Sequence, residues 1–91
     1  MNEIQGGKMS KYFQLKVFLE NSGNTTEGLT FQKLEEILGF SLPHSAYIRR
    51  EWWGNEIIQK TRHTHCKQWL NAGWEVESVN LGVNVTFSKI T

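Results

Sequence analysis

A single cysteine, Cys66, in a chain of 91 residues excludes any internal disulfide. Short chains bury a smaller share of their surface than large domains and often need a covalent or metal staple. Here packing has to supply that stability. The means are present: four tryptophans and five phenylalanines. Each buried aromatic removes roughly 150–250 Å² from water. A chain this long has room for one core, so a single domain is expected over residues 9–91. Residues 1–8, polar and glycine-containing, are expected to be a frayed lead-in.

Apolar periodicity sets out the elements. Ser10 can cap a first helix in which Tyr12, Leu15, Phe18 and Leu19 recur at helical spacing. Residues 21–27 (Asn-Ser-Gly-Asn-Thr-Thr-Glu) have loop composition. Leu29-Thr30-Phe31 can form a very short strand. Thr30 can then cap a second helix with Phe31, Leu34, Ile37 and Leu38 inward, stopped by Gly39. Pro43 suits the first turn of a third helix. Leu42, Ala46 and Trp53 fall near one of its faces, Tyr47 and Arg50 on another. A fourth helix is expected from about Glu56 to Asn71, with Ile58, Cys66, Trp69 and Leu70 as core candidates and Gly73 as its stop. Trp74, Val76, Val79 and Leu81 lead into a turn near Gly82, and Val83, Val85 and Phe87 return. The parity slips at Ser78, which points to a bulge or bend. The order predicts a compact α+β domain like a winged helix-turn-helix. It has about four helices, a short strand and a C-terminal β-hairpin. The third helix would be the reading helix.

Charge is uneven along the chain. Residues 44–68 carry Arg49, Arg50, Lys60, Arg62 and Lys67 against Glu51 and Glu56, together with all three histidines, His44, His63 and His65. Residues 1–43 have four lysines against five glutamates, and residues 69–91 one against two. A locally basic stretch with Tyr47, Trp52, Trp53 and Trp69 in or beside it suits a surface that meets a polyanion.

The residues that carry this pattern also carry a family resemblance. Lys11-Tyr12, Leu29-Thr30-Phe31, Ile37-Leu38-Gly39, Leu42-Pro43, Ser45-Ala46, Trp52-Trp53, Asn55, Trp69-Leu70, Ala72-Gly73-Trp74, Val76, Val79, Leu81 and Val85-Thr86-Phe87 stand in this order. The string is similar to a small bacterial and phage domain family of unknown function, from Lys11 to Phe87. The resemblance implies a compact binding module without assigned catalytic residues, found alone or joined to other modules, some in nuclease or defence settings. Asn80 stands where an acidic residue is associated with the family's strand before Leu81.

Each constellation has a plain structural reading beside the functional one. Arg49 and Arg50 can clamp phosphate or meet base edges, or can be a solvated helix face beside Glu51. Adjacent residues on a helix point about 100° apart, so of Trp52 and Trp53 one is expected buried and the other partly exposed. The exposed ring could stack on a base or anchor a protein. His63, His65 and Cys66 hold metal-ligand atoms, but structural zinc takes four ligands and only His44 remains as a further soft donor. No metal or cofactor is expected, and Cys66 is read as a small buried apolar residue. The chain has no aspartate, which disfavours a divalent-metal nuclease. No catalytic residue is assigned. Lys11, Lys16 and Lys33 are read as ordinary solvated lysines. No apolar run approaches the roughly 20 residues that span a bilayer, and no charged-then-apolar leader is present. A reducing, cytoplasmic location is therefore expected.

These readings converge on a non-enzymatic nucleic-acid-binding module, DNA first, in a restriction, defence or phage setting. Its binding residues would be Tyr47, Arg49, Arg50, Trp52, Lys60, Arg62 and Lys67. The alternative is a small phage or mobile-element protein that inhibits a host defence nuclease, in the manner of an anti-CRISPR, by protein–protein binding through the same residues. The net charge of +1 argues against simple DNA mimicry.

Overall fold

The sheet is built so that its central strand is the last in the chain. In this computed structural model, which describes residues 10–90, the elements run α1 (Phe13–Glu20), β1 (Thr26–Thr30), α2 (Phe31–Leu38), α3 (His44–Ile48), a 3-10 turn (Arg50–Trp53), α4 (Thr64–Asn71), β2 (Trp74–Asn80) and β3 (Asn84–Lys89). The strand order is β1-β3-β2, antiparallel throughout. Among the described residues the protein is thus α+β, with four α-helices and a three-stranded sheet. The expected lead-in, residues 1–8, lies outside the described residues.

Local signals set most boundaries. Thr30 is extended (φ −69°, ψ 158°), and its Oγ1 accepts the Lys33 N–H at 2.9 Å, capping α2. Gly39 ends the helix at φ +86°, a left-handed conformation that an L side chain adopts at a cost. The strand before it is longer than the expected three residues. Residues 26–30 all pair with β3, and Phe31 already belongs to α2. The Phe31 N–H donates to the Val83 carbonyl at 3.0 Å, which ties the start of α2 to the β2–β3 turn.

The bulge falls where the parity slips. Val76 pairs with Phe87 and Ser78 with Thr86, leaving Glu77 as the extra residue. Without it, Val76 and Val79 would lie on opposite faces, because side chains alternate along a strand. With it, Val76 and Val79 sit opposite Phe87 and Val85, and both pack on the core. That core joins Leu29, Val85, Phe87 and Trp74 of the sheet to Leu15, Leu19, Phe31, Leu34, Leu38, Cys66 and Trp69 of the helices. Ile37 is half-buried and packs against it, whereas Ile58, expected in the core, is half-buried and is not among the residues that pack there.

Two elements differ from the expected pattern. The third helix is not one reading helix. It ends at Ile48, Arg49 is extended (φ −122°, ψ 119°), and the chain restarts as the 3-10 turn. A continuous helix would point Trp52 and Trp53 about 100° apart. The break brings both rings inward: Trp53 is buried, Trp52 half-buried, and their centroids are 4.6 Å apart. The Trp53 Nε1–H donates to the Ala46 carbonyl at 2.8 Å, so the turn folds back on α3.

The fourth helix starts at Thr64, not near Glu56. Residues 57–61 make a turn instead, with the Lys60 and Thr61 N–H groups both donating to the Ile57 carbonyl at 2.9 Å. Thr61 Oγ1 accepts the His63 N–H at 3.0 Å, and its hydroxyl donates to Glu56. Such side-chain bonds offer the backbone an alternative to helix, and the β-branched Ile57, Ile58 and Thr61 are poor helix formers.

Among the described residues, no helix is long and apolar enough to cross a membrane.

Candidate nucleic-acid interface

The 3-10 turn and the loop of residues 54–63 are bonded to the outer edge of the sheet. β2 is an edge strand, and edge strands expose unpaired backbone groups. Asn55 covers one such place. Its Oδ1 accepts the Val76 N–H at 2.9 Å, and its Nδ2 donates to the Val76 carbonyl at 2.8 Å. A carboxamide has the donor and acceptor of a peptide group, so Asn55 pairs with Val76 as one residue of a further strand would. The same Oδ1 accepts the Trp69 Nε1–H at 3.0 Å. Farther along the edge, Arg50 Nη1 donates to the Val79 carbonyl at 2.7 Å. Together Asn55 and Arg50 fix the turn and loop to the sheet.

Between them lies a pocket of about 280 Å³ lined by Arg49, Glu51, Trp52, Glu56, His63 and His65. Its floor is a stack. The Trp52 and His65 rings lie 3.8 Å apart at 5°, and the His65 Nε2–H donates to the Trp52 carbonyl at 2.8 Å. Tyr12 packs edge-on to both rings. One wall is a relay. The Thr61 hydroxyl donates to Glu56, and His63 Nδ1 lies 2.9 and 3.1 Å from the Glu56 oxygens. Glu56 thereby fixes the His63 ring and leaves Nε2 as its remaining hydrogen-bonding atom.

These contacts shift titrations in definite directions. The Thr61 hydroxyl, then His63, hold the Glu56 carboxyl below its ordinary value, with burial opposing them. Burial pushes the His65 imidazole below its ordinary value of 6.5, against the Trp52 carbonyl, which favours the charged ring. A histidine with a depressed folded pKa binds a proton more readily when unfolded. The stability it contributes is complete above about pH 6.5 and is lost as pH falls toward the lower folded value. His65→Gln, which keeps an N–H donor but does not titrate, should flatten the dependence of melting temperature on pH as pH falls below about 6.5. Melts of both proteins across that range check this. Parallel declines would assign the acid sensitivity to another group.

The expected binding residues divide in the structure. Arg49 and Trp52 line the pocket, whereas Tyr47, Arg50, Lys60, Arg62 and Lys67 do not. Tyr47 is half-buried, with its ring 4.8 Å from Phe31. Its hydroxyl donates to Glu35 Oε2 at 2.5 Å, and the same oxygen accepts the Leu42 N–H at 2.8 Å. That hydrogen bond raises the Tyr47 hydroxyl above its ordinary value. Lys60 and Arg62 are exposed on the loop, and Lys67 is half-exposed on α4.

Glu51, Glu56, His63 and His65 were not among the expected binding residues. In the sequence the histidines stand out as part of the basic stretch and as metal-ligand atom types, not as binding residues. Their signal was the closeness of His63 and His65 to two tryptophans, but the pairing with Trp52 and Glu56 depends on the loop. Cys66 is buried, and its thiol faces the His63 backbone carbonyl at 3.5 Å. Among the described residues, no three His, Cys, Asp or Glu side chains converge to hold a metal ion.

Comparison with known proteins places the sequence in a family. The family model described as "Domain of unknown function (DUF7662)" matches residues 12–91. The chain belongs to this family. No curated protein and no solved structure gives a match to the chain. The match takes in every element from α1 to β3 and the whole of the pocket lining.

Proposed function

We propose that the protein is a non-enzymatic nucleic-acid-binding module, with DNA the first ligand to test. One observation carries this reading. Among the described residues, the ion pairs are Lys16–Glu20 and Glu56–His63, so none of Arg49, Arg50, Lys60, Arg62 and Lys67 is neutralised by a carboxylate. Arg49 in the lining of a pocket that also holds Trp52, with Lys60 and Arg62 exposed on the loop, suits a phosphate backbone and the rings attached to it. In winged-helix terms, α3 and the 3-10 turn would face the ligand, and the β2–β3 turn would be the wing. That wing, Gly82-Val83-Asn84, brings no positive charge, so the basic loop carries the contact.

Binding should weaken steeply with salt, with a log–log slope of about −0.9 per phosphate neutralised on duplex and about −0.7 on single strands. Arg49→Ala with Arg50→Ala should weaken binding and reduce the slope by up to about two units. Absence of binding to duplex or single strand at low salt would reject the proposal.

A second reading rests on a different observation. Ile48, Ile57 and Val83 are 52%, 62% and 58% exposed, and two of them flank the pocket segment in sequence. Exposed apolar side chains of this kind suit a protein partner. In this reading the protein inhibits a defence nuclease in the manner of an anti-CRISPR. A pull-down that recovers one nuclease, together with weak binding to free nucleic acid, would favour it.

A further inference from the structure

A duplex-reading helix needs length to lie in the major groove. α3 has five residues, about 7.5 Å at 1.5 Å per residue. It is also committed elsewhere. Tyr47 on α3 is bonded to Glu35, and Arg50, just after it, is bonded to the sheet edge. What the segment presents instead is a concave site. The break at Arg49 that shortens the helix also leaves Arg49 exposed on the pocket wall, unpaired with any carboxylate among the described residues.

We propose that this pocket seats one nucleotide of a single-stranded nucleic acid, preferring a base that bears an exocyclic amine. This rests on the nucleic-acid reading above and narrows it. Arg49 supplies a planar, permanently charged donor for a phosphate. His63 lines the same pocket with its Nδ1 side held by Glu56, so its Nε2 is the ring atom available to the ligand. Glu51 is the lining carboxylate that takes part in no hydrogen bond among the described residues, whereas Glu56 is taken up by Thr61 and His63. A carboxylate only accepts hydrogen bonds. Beside a phosphate it is repulsive, but opposite the amino group of cytosine or adenine it is a matched acceptor. The stacked Trp52 and His65 rings add ring surface to the same lining. In a duplex those amino groups are paired and the bases stacked. In a single strand a base can turn into a pocket at far lower cost. Lys60 and Arg62, exposed on the adjoining loop, are left to follow the neighbouring phosphates.

The test uses the full chain and oligonucleotides of equal length: oligo-dC, oligo-dT and oligo-rC, with a mixed-sequence duplex. Fluorescence anisotropy at low salt reads affinity. The expected result is binding to oligo-dC about tenfold tighter than to duplex. Arg49→Ala should lose about tenfold on oligo-dC, the worth of one charge-assisted hydrogen bond. Oligo-dT should bind more weakly than oligo-dC, and Glu51→Gln should narrow that gap. The oligo-rC arm shows whether a ribose is preferred, since both strands carry the same amine. Equal binding of duplex and single strand would overturn the pocket while leaving the nucleic-acid reading intact. So would an Arg49→Ala variant unchanged where Lys60→Ala with Arg62→Ala is impaired. Equal affinity for oligo-dC and oligo-dT would overturn the role of Glu51. Failure of every oligonucleotide and the duplex to bind would remove both readings together.

Discussion

Trp69→Ala is expected to cost about 3–5 kcal/mol, the usual cost of emptying a large buried aromatic site. Trp69 is fully buried. Its ring lies 5.9 Å from Trp53, 5.7 Å from Phe87 and 5.9 Å from His65, so it joins the 3-10 turn, the sheet and α4 in one contact. Truncation leaves a cavity that three rigid rings cannot close, and rigid surroundings raise the cost of a cavity. It also strips Asn55 of the indole N–H. A chain this size has a total stability of roughly 5–14 kcal/mol at typical values per residue. The loss should therefore lower the melting temperature by about 15 °C or more. Urea titration of the parent, Trp69→Ala and the milder Trp69→Phe checks this. A near-unchanged transition in the alanine variant would move the centre of the core elsewhere.

How far the sequence revealed this fold depended on the range of each determinant. Local determinants were legible. The cap at Thr30, the left-handed stop at Gly39, the turn at Gly82 and the bulge beside Ser78 each follow from residues within a few positions. That one of Trp52 and Trp53 is buried and the other partly exposed matches the expectation, although the continuous helix behind that expectation does not form. Determinants made by contacts across the chain were not. The break at Arg49 depends on Trp53 reaching Ala46 and on Trp52 meeting His65, thirteen residues away. The 56–63 turn has weak helix formers, yet its pattern still resembles an amphipathic helix because Ile58, Cys66 and Trp69 recur on one face. Only the Glu56–Thr61–His63 bonds decide against that helix. The candidate site suffered most from this. Arg49 and Trp52 were found as charge and ring, but Glu51, Glu56, His63 and His65 join them only when the loop folds back.

Asn55 shows the same limit, and it gives the second large effect. In sequence it is one asparagine after a glycine, a usual loop residue. In the structure it satisfies both backbone groups of Val76 and the Trp69 indole. Asn55→Ala should cost about 1–3 kcal/mol, because the indole N–H beside the core loses its partner while the Val76 groups, which are exposed, can turn to water. Asn55→Asp separates the two functions. The carboxylate still accepts from the Val76 and Trp69 N–H groups, but its second oxygen would face the Val76 carbonyl where Nδ2 now donates. At neutral pH it should therefore destabilise, and it should recover in acid as protonation restores a donor. Trp69→Phe removes the indole donor. In that background Asn55→Ala should cost less than in the parent, giving a coupling energy of about 0.5–3 kcal/mol in a double-mutant cycle. Urea denaturation of the four proteins measures it. Additive losses would mean that Asn55 acts on the edge strand alone, and that the site's loop is not held through the core tryptophan.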